Sequence, residues 1–287
     1  MNKDDYKTII KYVFDICGIV LGDDKEYLVE QRLKPILGEI DCGSFSDLAV
    51  KINSKMVSFL ARQQILDAMT TNETSFFRDK FMYDTFRDII MPEMFERARQ
   101  RKNRSPQRRG AKVNMWSVAT STGQEPYSMA MIISDAIKEK GMGSIAMEDF
   151  DILGTDICSR VLARAVEGVY GQFEVARGLT PEILDKHFIK EKDYYVINDN
   201  LRKIIEYKNF NIHENFTQLG SFDVIFCRNI LIYFTEEAKR KILSQLFEVL
   251  APNGYLLLGS TENMYNLNDD FTIERFGPTA VYRKMAM

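Results

Sequence analysis

The spacing of hydrophobic positions changes near residue 112. Up to about residue 100 they recur at helical intervals. Ile9, Ile10, Val13, Phe14 and Cys17 share one face behind Asp4 and Asp5, acids that suit a helix N-terminus. Tyr27, Leu28, Leu33, Ile36 and Leu37 predict a second helix with Pro35 at a kink or boundary. Ser44 and Asp47 form a capping pattern ahead of Leu48, Ala49 and Ile52, and Phe59, Leu60, Gln63, Ile65 and Leu66 predict another helix. The polar TTNETSFFRD reads as a turn leading into a long helix over about 80–100.

Beyond Lys112 the rhythm becomes strand, loop, helix. VNMWSVA predicts a strand, and STGQEPYSMAMIISDAIKEK a turn and an amphipathic helix. FDILGTDI and SRVLARAVEGVY repeat the pattern; FDVIFCRNILIYF reads as a buried strand with its exit loop. EEAKRKILSQLFEVL predicts a helix, GYLLLGS a strand after a turn at Pro252 and Gly254, and TIERF with TAVYRK a closing hairpin. Alternation of this kind predicts an α/β domain, a mostly parallel sheet with helices on both faces. The expected organisation is an all-helical domain over 1–95, a basic linker over 96–112 and the α/β domain over 113–287.

Composition narrows the function classes. Net charge is -3 and the pI about 5.7, against a protein built to grip nucleic acid. One basic run stands out: residues 97–112 hold eight Lys or Arg and no acid, read as a helix end and solvated linker, with a phosphate-binding arm as the sharper alternative. Cys17, Cys42, Cys158 and Cys227 show no CxxC spacing and the only histidines are His187 and His213, so no metal site is expected and the cysteines read as core residues in a reducing compartment. No stretch approaches the roughly 20 apolar residues of a membrane span, and the chain is expected in the cytoplasm.

Ligands of such sheets bind outside the carboxyl ends of the strands. Three loops fall there: ATSTGQEPY, whose small residues admit close backbone approach; GTDI, whose Asp156 can bond ribose hydroxyls or simply cap a helix; and CRNILIYF, with Arg228, Asn229 and Tyr233. The first lacks both GxGxxG and GK[ST], which argues against NAD or ATP. Together they suit an adenosine-containing cofactor.

TTNETSFFRD, WSVATSTGQEPYSMAM, ILGTDI, FDVIFCRNILIYF and GYLLLGSTEN, in that order after a helical N-terminus, resemble the chemotaxis protein-glutamate O-methyltransferases of the CheR type. The resemblance implies a class I methyltransferase fold with an all-helical N-terminal domain and a small antiparallel insertion, here near 193–207. It implies S-adenosylmethionine as methyl donor (S-adenosylhomocysteine as product) and, as acceptor, glutamates on the cytoplasmic helical domain of bacterial chemoreceptors, with no nucleic acid and no membrane insertion. By matching position, Asn72, Thr74 and Arg78 cover the cofactor from the N-terminal side, Glu125 binds its methionine end, Asp156 the ribose, and Asn211 and Ile212 lie near adenine. Arg228 and Asn229 complete the pocket, Tyr233 faces the reacting methyl group, and Arg78 positions a carboxylate. Trp116 is assigned to the core. Three departures stand out: Gln124 where relatives carry a glutamate; a docking helix over 26–37 with only Lys25, Arg32 and Lys34 as cations; and a shortened stretch over 188–201. A glutamate acceptor, with a pKa near 4.3, is already ionised and needs no base. The competing readings are a nucleic-acid methyltransferase using the basic run, and a non-catalytic cofactor sensor or array scaffold.

Overall fold

Asn2 caps the first helix, its side chain accepting the Asp5 N–H, while Asp4 and Asp5 occupy the first turn at the positive end of the helix dipole. In the computed structural model, which describes residues 1–104, 112–140 and 143–285, α1 (Lys3–Cys17) is followed by α2 (Glu26–Leu33), α3 (Phe45–Asn53) and α4 (Phe59–Met69). Ser44 and Ser58 cap the last two. Pro35 opens a 3-10 turn, Lys34–Ile36, so the second helix stops at Leu33. Ile9, Val13, Val29, Leu33, Leu48 and Ile65 meet in a core that belongs to these four helices.

The next helices do not join that core. α5 (Lys80–Thr85), a π-turn (Phe86–Ile90) and α6 (Met91–Arg104) form one rod whose Met82, Tyr83, Phe86, Ile90, Met94 and Phe95 pack on the sheet. The first hundred residues therefore divide near residue 70, not near 95, because the rod's apolar face is matched by the sheet. Residues 96–104 are helix, not linker. Arg97 and Arg101 both reach the buried carboxylate of Asp223, which also accepts the Asn114 N–H. This half of the basic run is thus a structural clamp, and the remainder, 105–111, lies outside the described residues.

The α/β domain runs β1 (Val113–Val118), α7 (Gln124–Lys140), β2 (Phe150–Asp156) and α8 (Ser159–Glu167), then an insertion. The insertion comprises β3 (Val169–Gly171), α9 (Gln172–Ala176), α10 (Pro181–His187), β4 (Phe188–Lys190), β5 (Tyr194–Ile197) and α11 (Asp199–Arg202). The chain closes with β6 (Ile205–Asn209), β7 (Phe222–Cys227), α12 (Glu236–Val249), β8 (Leu250–Leu258), β9 (Thr272–Phe276) and β10 (Thr279–Arg283). The seven-stranded sheet has the order β6-β2-β1-β7-β8-β10-β9, parallel except for the closing hairpin, which seats β10 antiparallel beside β8. Period-2 alternation sends Met115, Val224, Phe226 and Leu257 to the face covered by α5–α7, and Trp116, Ile225, Cys227 and Leu256 to the face covered by α12. Trp116 is fully buried, its indole N–H donating to Thr155 Oγ1 at 2.9 Å.

The antiparallel insertion is displaced from the expected 193–207. Its sheet is β3-β5-β4, beginning at Val169, whereas Ile205–Asn209 pairs in parallel with β2 as the edge of the main sheet. Ile205 and Tyr207 pack against the main core, which draws that strand out of the insertion. The turn at Pro252 and Gly254 sits inside β8 as a bulge: Phe222 pairs with Leu250 but Val224 with Tyr255.

Candidate active site

Strand order reverses at β1, and the carboxyl ends of β1, β2, β6 and β7 open there into one cavity, as expected at a topological switch point. It encloses about 1270 Å³ including its open mouth, enough for a nucleoside with an amino-acid arm. The remaining walls are Cys17, Ile19, Val20 and Leu21 at and after the end of α1, Leu28 and Arg32 of α2, and the segment 69–75 with Arg78. Bonds across the rim hold them to the sheet. Asn211 Nδ2 donates to the Ile16 carbonyl (2.9 Å), the Val20 N–H to the Tyr233 carbonyl (3.0 Å), and Ser121 Oγ to the Asn72 carbonyl (2.8 Å). Every residue assigned from the sequence lines this space: Asn72, Thr74, Arg78, Glu125, Asp156, Asn211, Ile212, Arg228, Asn229 and Tyr233.

The floor is a buried charge network. Glu125, in the first turn of α7, accepts Ser117 Oγ at 2.8 Å and Arg228 Nη1 at 2.9 Å. Arg228 Nη2 donates to the Arg78 carbonyl at 2.8 Å and to the Asp79 carboxylate. Burial works against the charge of Arg228, but Glu125 and Asp79 outweigh it and hold the guanidinium above its ordinary pKa. Two carboxylates against one guanidinium leave this corner negative, suited to a cationic ligand end.

Asp156 closes β2. Its oxygens accept the N–H groups of Ser121 (2.8 Å) and Cys158 (2.9 Å). Burial pushes its pKa up to about 6 despite those bonds. An ionised carboxylate offers about four acceptor sites, so each oxygen keeps capacity for a hydroxyl of a ribose. Beside it, Thr120 Oγ1 is buried and has no partner among the described residues. That orphan hydroxyl, the spare capacity of Asp156 and the negative floor fit a nucleoside carrying a cationic amino-acid arm.

The rim is backbone under strain. Phe77, Asp79, Ala119, Ser121 and Asn229 all adopt positive φ (47–65°), a region costly for side-chain-bearing residues. Phe76 fixes the 72–79 segment, its ring edge-on to Tyr170 and Phe188 at centroid distances of 4.9 and 5.6 Å. The Phe77 N–H donates to Ser128 Oγ. Arg78 stands between two residues of positive φ; its guanidinium donates to the Glu73 carbonyl at 3.1 Å and makes no ion pair among the described residues.

Residues that the sequence reading passed over complete the site. Glu262 accepts three backbone N–H groups, those of Asn229 (2.7 Å), Leu231 (2.8 Å) and Gly259 (2.8 Å), and so holds the loop that carries Arg228 and Asn229. Its signal was visible, since it lies in GSTEN. Asp79, Ser117 and Thr120 lie in quoted stretches but had no assigned role. Gln124, the departure from the family pattern, is buried and bonded to Thr122 Oγ1, outside the cavity that Glu125 lines. One expectation changes. Arg32, counted among docking cations, turns inward to Thr71 Oγ1 (2.8 Å) and the Met69 carbonyl, while Lys25 pairs with Asp24.

The sheet order and a cavity with these features define a class I S-adenosylmethionine-dependent methyltransferase. Two family profiles match in tandem: "CheR methyltransferase, all-alpha domain" over residues 4–70 and "CheR methyltransferase, SAM binding domain" over 72–278. The chain is 37% identical over 284 residues to chemotaxis protein methyltransferase 1 of Vibrio cholerae, covering 99% of this chain and 98% of that one. It is 34% identical over 280 residues to chemotaxis protein methyltransferase Cher2 of Pseudomonas putida (97% of each) and 30% over 273 residues to the Salmonella typhimurium chemotaxis protein methyltransferase (93% and 86%). The chain belongs to the CheR methyltransferase family, and its cofactor is S-adenosylmethionine.

Proposed function

We propose that this protein methylates glutamate side chains on the cytoplasmic helical domain of bacterial chemoreceptors, forming methyl esters in sensory adaptation. The observation that carries the reading is Arg78: a guanidinium at the cavity rim with no ion-pair partner among the described residues, suited to bidentate contact with a carboxylate. Among the described lining residues there is no His or Lys, and burial pushes the Cys17 thiol up to about 11. An amine acceptor needs a base to remove its proton; a carboxylate does not.

Asp156 and the negative end at Glu125 hold the ribose and the methionine amino group. Asn211 and Ile212 flank adenine, and Asn72, Thr74, Arg228 and Asn229 enclose the arm. When bound, S-adenosylmethionine supplies a methyl group on a positively charged sulfur, with a neutral thioether as leaving group. An ionised acceptor carboxylate has no proton to lose. Arg78 and Tyr233 would align it in the cavity and displace its water, and alignment of this kind can contribute roughly 7–11 kcal/mol. Reaction takes place in the bacterial cytoplasm. No helix among the described residues is long and apolar enough to cross a membrane.

The test is transfer of labelled methyl from the cofactor to receptor-containing membranes, followed by mild base. Release of the label as methanol is expected; a base-stable product would overturn the carboxylate assignment. Arg78→Ala should depress turnover, and wild-type turnover with unchanged cofactor affinity would remove Arg78 from this role.

A further inference from the structure

One residue at the rim, Glu73, is bonded by two arginines, through its backbone carbonyl on one side and its carboxylate on the other. Arg78 donates to the backbone carbonyl of Glu73, and Arg177, which follows α9 in the insertion, donates to the Glu73 side chain at 3.0 Å. Glu73 itself lines the cavity. Both guanidiniums therefore stand within the span of a single glutamate residue, Arg78 lining the cavity and Arg177 just outside that lining.

Three features distinguish this contact from a structural brace. The side chains of Arg177 and Glu73 are 61% and 65% exposed, and an ion pair that exposed contributes little to stability. The position of Arg177 is nonetheless fixed. Gly178, next in sequence, has φ +104°, and a Cβ there would meet the Phe76 carbonyl oxygen at 1.9 Å, so the insertion lies directly on the 72–79 segment. The charge count also points outward. With Glu73 in place the three side chains sum to one positive charge; with Glu73 displaced the entrance carries two cations, matched to two carboxylates.

We propose that Arg177 is a specificity-determining residue that binds a second acidic side chain of the acceptor beside the glutamate aligned by Arg78, and that Glu73 is an internal stand-in for that side chain, displaced when the acceptor enters. The inference rests on the carboxylate-acceptor reading above and adds to it a preference for acidic neighbours. Exchange of one carboxylate for another on Arg177 keeps the cation paired throughout, and the competing Glu73 weakens acceptor binding.

The experiment measures methyl transfer against the concentration of receptor-containing membranes, with cofactor Kd by calorimetry, for Glu73→Gln, Arg177→Gln, Arg177→Glu and the Glu73→Gln/Arg177→Gln double variant. Arg177→Gln should raise the acceptor KM about fivefold and Arg177→Glu further, with cofactor Kd within about 1.5-fold of wild type. Glu73→Gln should lower the acceptor KM about two- to threefold, and should do nothing once Arg177 is Gln. An acceptor KM indifferent to both Arg177 variants overturns the proposal. So does Glu73→Gln raising KM as Arg177→Gln does, or cofactor Kd moving with Arg177→Gln, because either marks the pair as a strut. Base-lability of the wild-type product is scored separately. A base-stable product defeats the carboxylate reading itself, whereas a base-labile product with unmoved KM defeats only the role of Arg177.

Discussion

Removing the Glu262 carboxylate should unseat the Arg228–Asn229 loop. Glu262 is half-buried, and no backbone-to-backbone bond substitutes for it: one oxygen accepts Asn229 and Gly259, the other Leu231. Hydrogen bonds to an ionised acceptor contribute about 1.5–3 kcal/mol each. Three sharing one carboxylate do not add fully, and the loop borders an open cavity where water can replace part of the loss. Glu262→Ala should therefore cost about 3–5 kcal/mol, a large share of a typical domain stability of about 5–15 kcal/mol. Glu262→Gln keeps the shape and can keep the two-bond oxygen, but turns an NH2 toward the Leu231 N–H. Its cost should be about 1.5–3 kcal/mol. The helical domain has its own core, so a global probe would mix two transitions. Trp116, the single tryptophan, is buried in the sheet of the same domain as Glu262, and its fluorescence in a urea titration reads the right unit. Cofactor Kd should weaken at least tenfold in the alanine variant. Stability within about 1 kcal/mol of wild type together with unchanged cofactor Kd would refute the reasoning, and so would a glutamine variant less stable than the alanine one.

Three further outcomes are expected. Cofactor affinity should be flat above pH 7 and weaken below about pH 6, by up to tenfold per unit, because burial raises the Asp156 pKa to about 6 while ribose hydroxyls bind its ionised form, so binding at low pH must expel a proton; calorimetry should lose that slope in Asp156→Asn. Asp223→Asn should destabilise by about 3–5 kcal/mol in urea, since it uncouples the buried carboxylate from Arg97 and Arg101, yet leave cofactor Kd near wild type. Gly18→Ala should destabilise strongly, because Gly18 has φ +72° and a Cβ would fall 1.7 Å from His213 Nε2; adding His213→Ala should recover the steric part and leave the cost of about 1–2 kcal/mol for a left-handed alanine.

How much of this was legible depends on which physical signal each feature leaves in the chain. The sheet strands were readable because both faces are buried: runs such as VIFC and YLLL have one physical home, a strand covered on each side. Asp156, Arg228, Asn229 and Tyr233 were readable because they end or follow those strands, whereas Asn72, Thr74, Arg78, Glu125, Asn211 and Ile212 were assigned by the family resemblance. The division near residue 70 was not. The helices on both sides of it show the same period, and only the partner of each apolar face, helix or sheet, separates them. The small sheet was misplaced for a related reason: KIIEY has the same short alternation whether it closes an insertion or extends the main sheet, and pairing with β2 decided it. Arg97 and Arg101 were read as solvated because a sequence shows their charge but not Asp223, more than 120 residues away, waiting in the interior.

The least legible feature is also the one on which function depends most. Nine residues other than glycine have positive φ among those described; three of them, Ala119, Ser121 and Asn229, line the cavity, and two more, Phe77 and Asp79, flank Arg78, which lines it too. Glycine would adopt these angles freely, and a glycine-rich loop after β1 is what the sheet alone leads one to expect. This chain instead places Ala119 and Ser121 there, at a cost of order 1–3 kcal/mol each. The side chains explain why the cost is borne. Ser121 Oγ donates to the Asn72 carbonyl while its N–H donates to Asp156, so one strained residue ties the N-terminal segment to the acid that closes β2. Asp79 does the same from the opposite side, presenting its carboxylate to Arg228 while the preceding carbonyl, that of Arg78, accepts from the same guanidinium. A glycine at either position would relieve the backbone and remove the tether. The strain is thus exchanged for rigidity where the 72–79 segment meets the sheet, just past the division near residue 70, on the side of the cavity where cofactor and acceptor must be held in line.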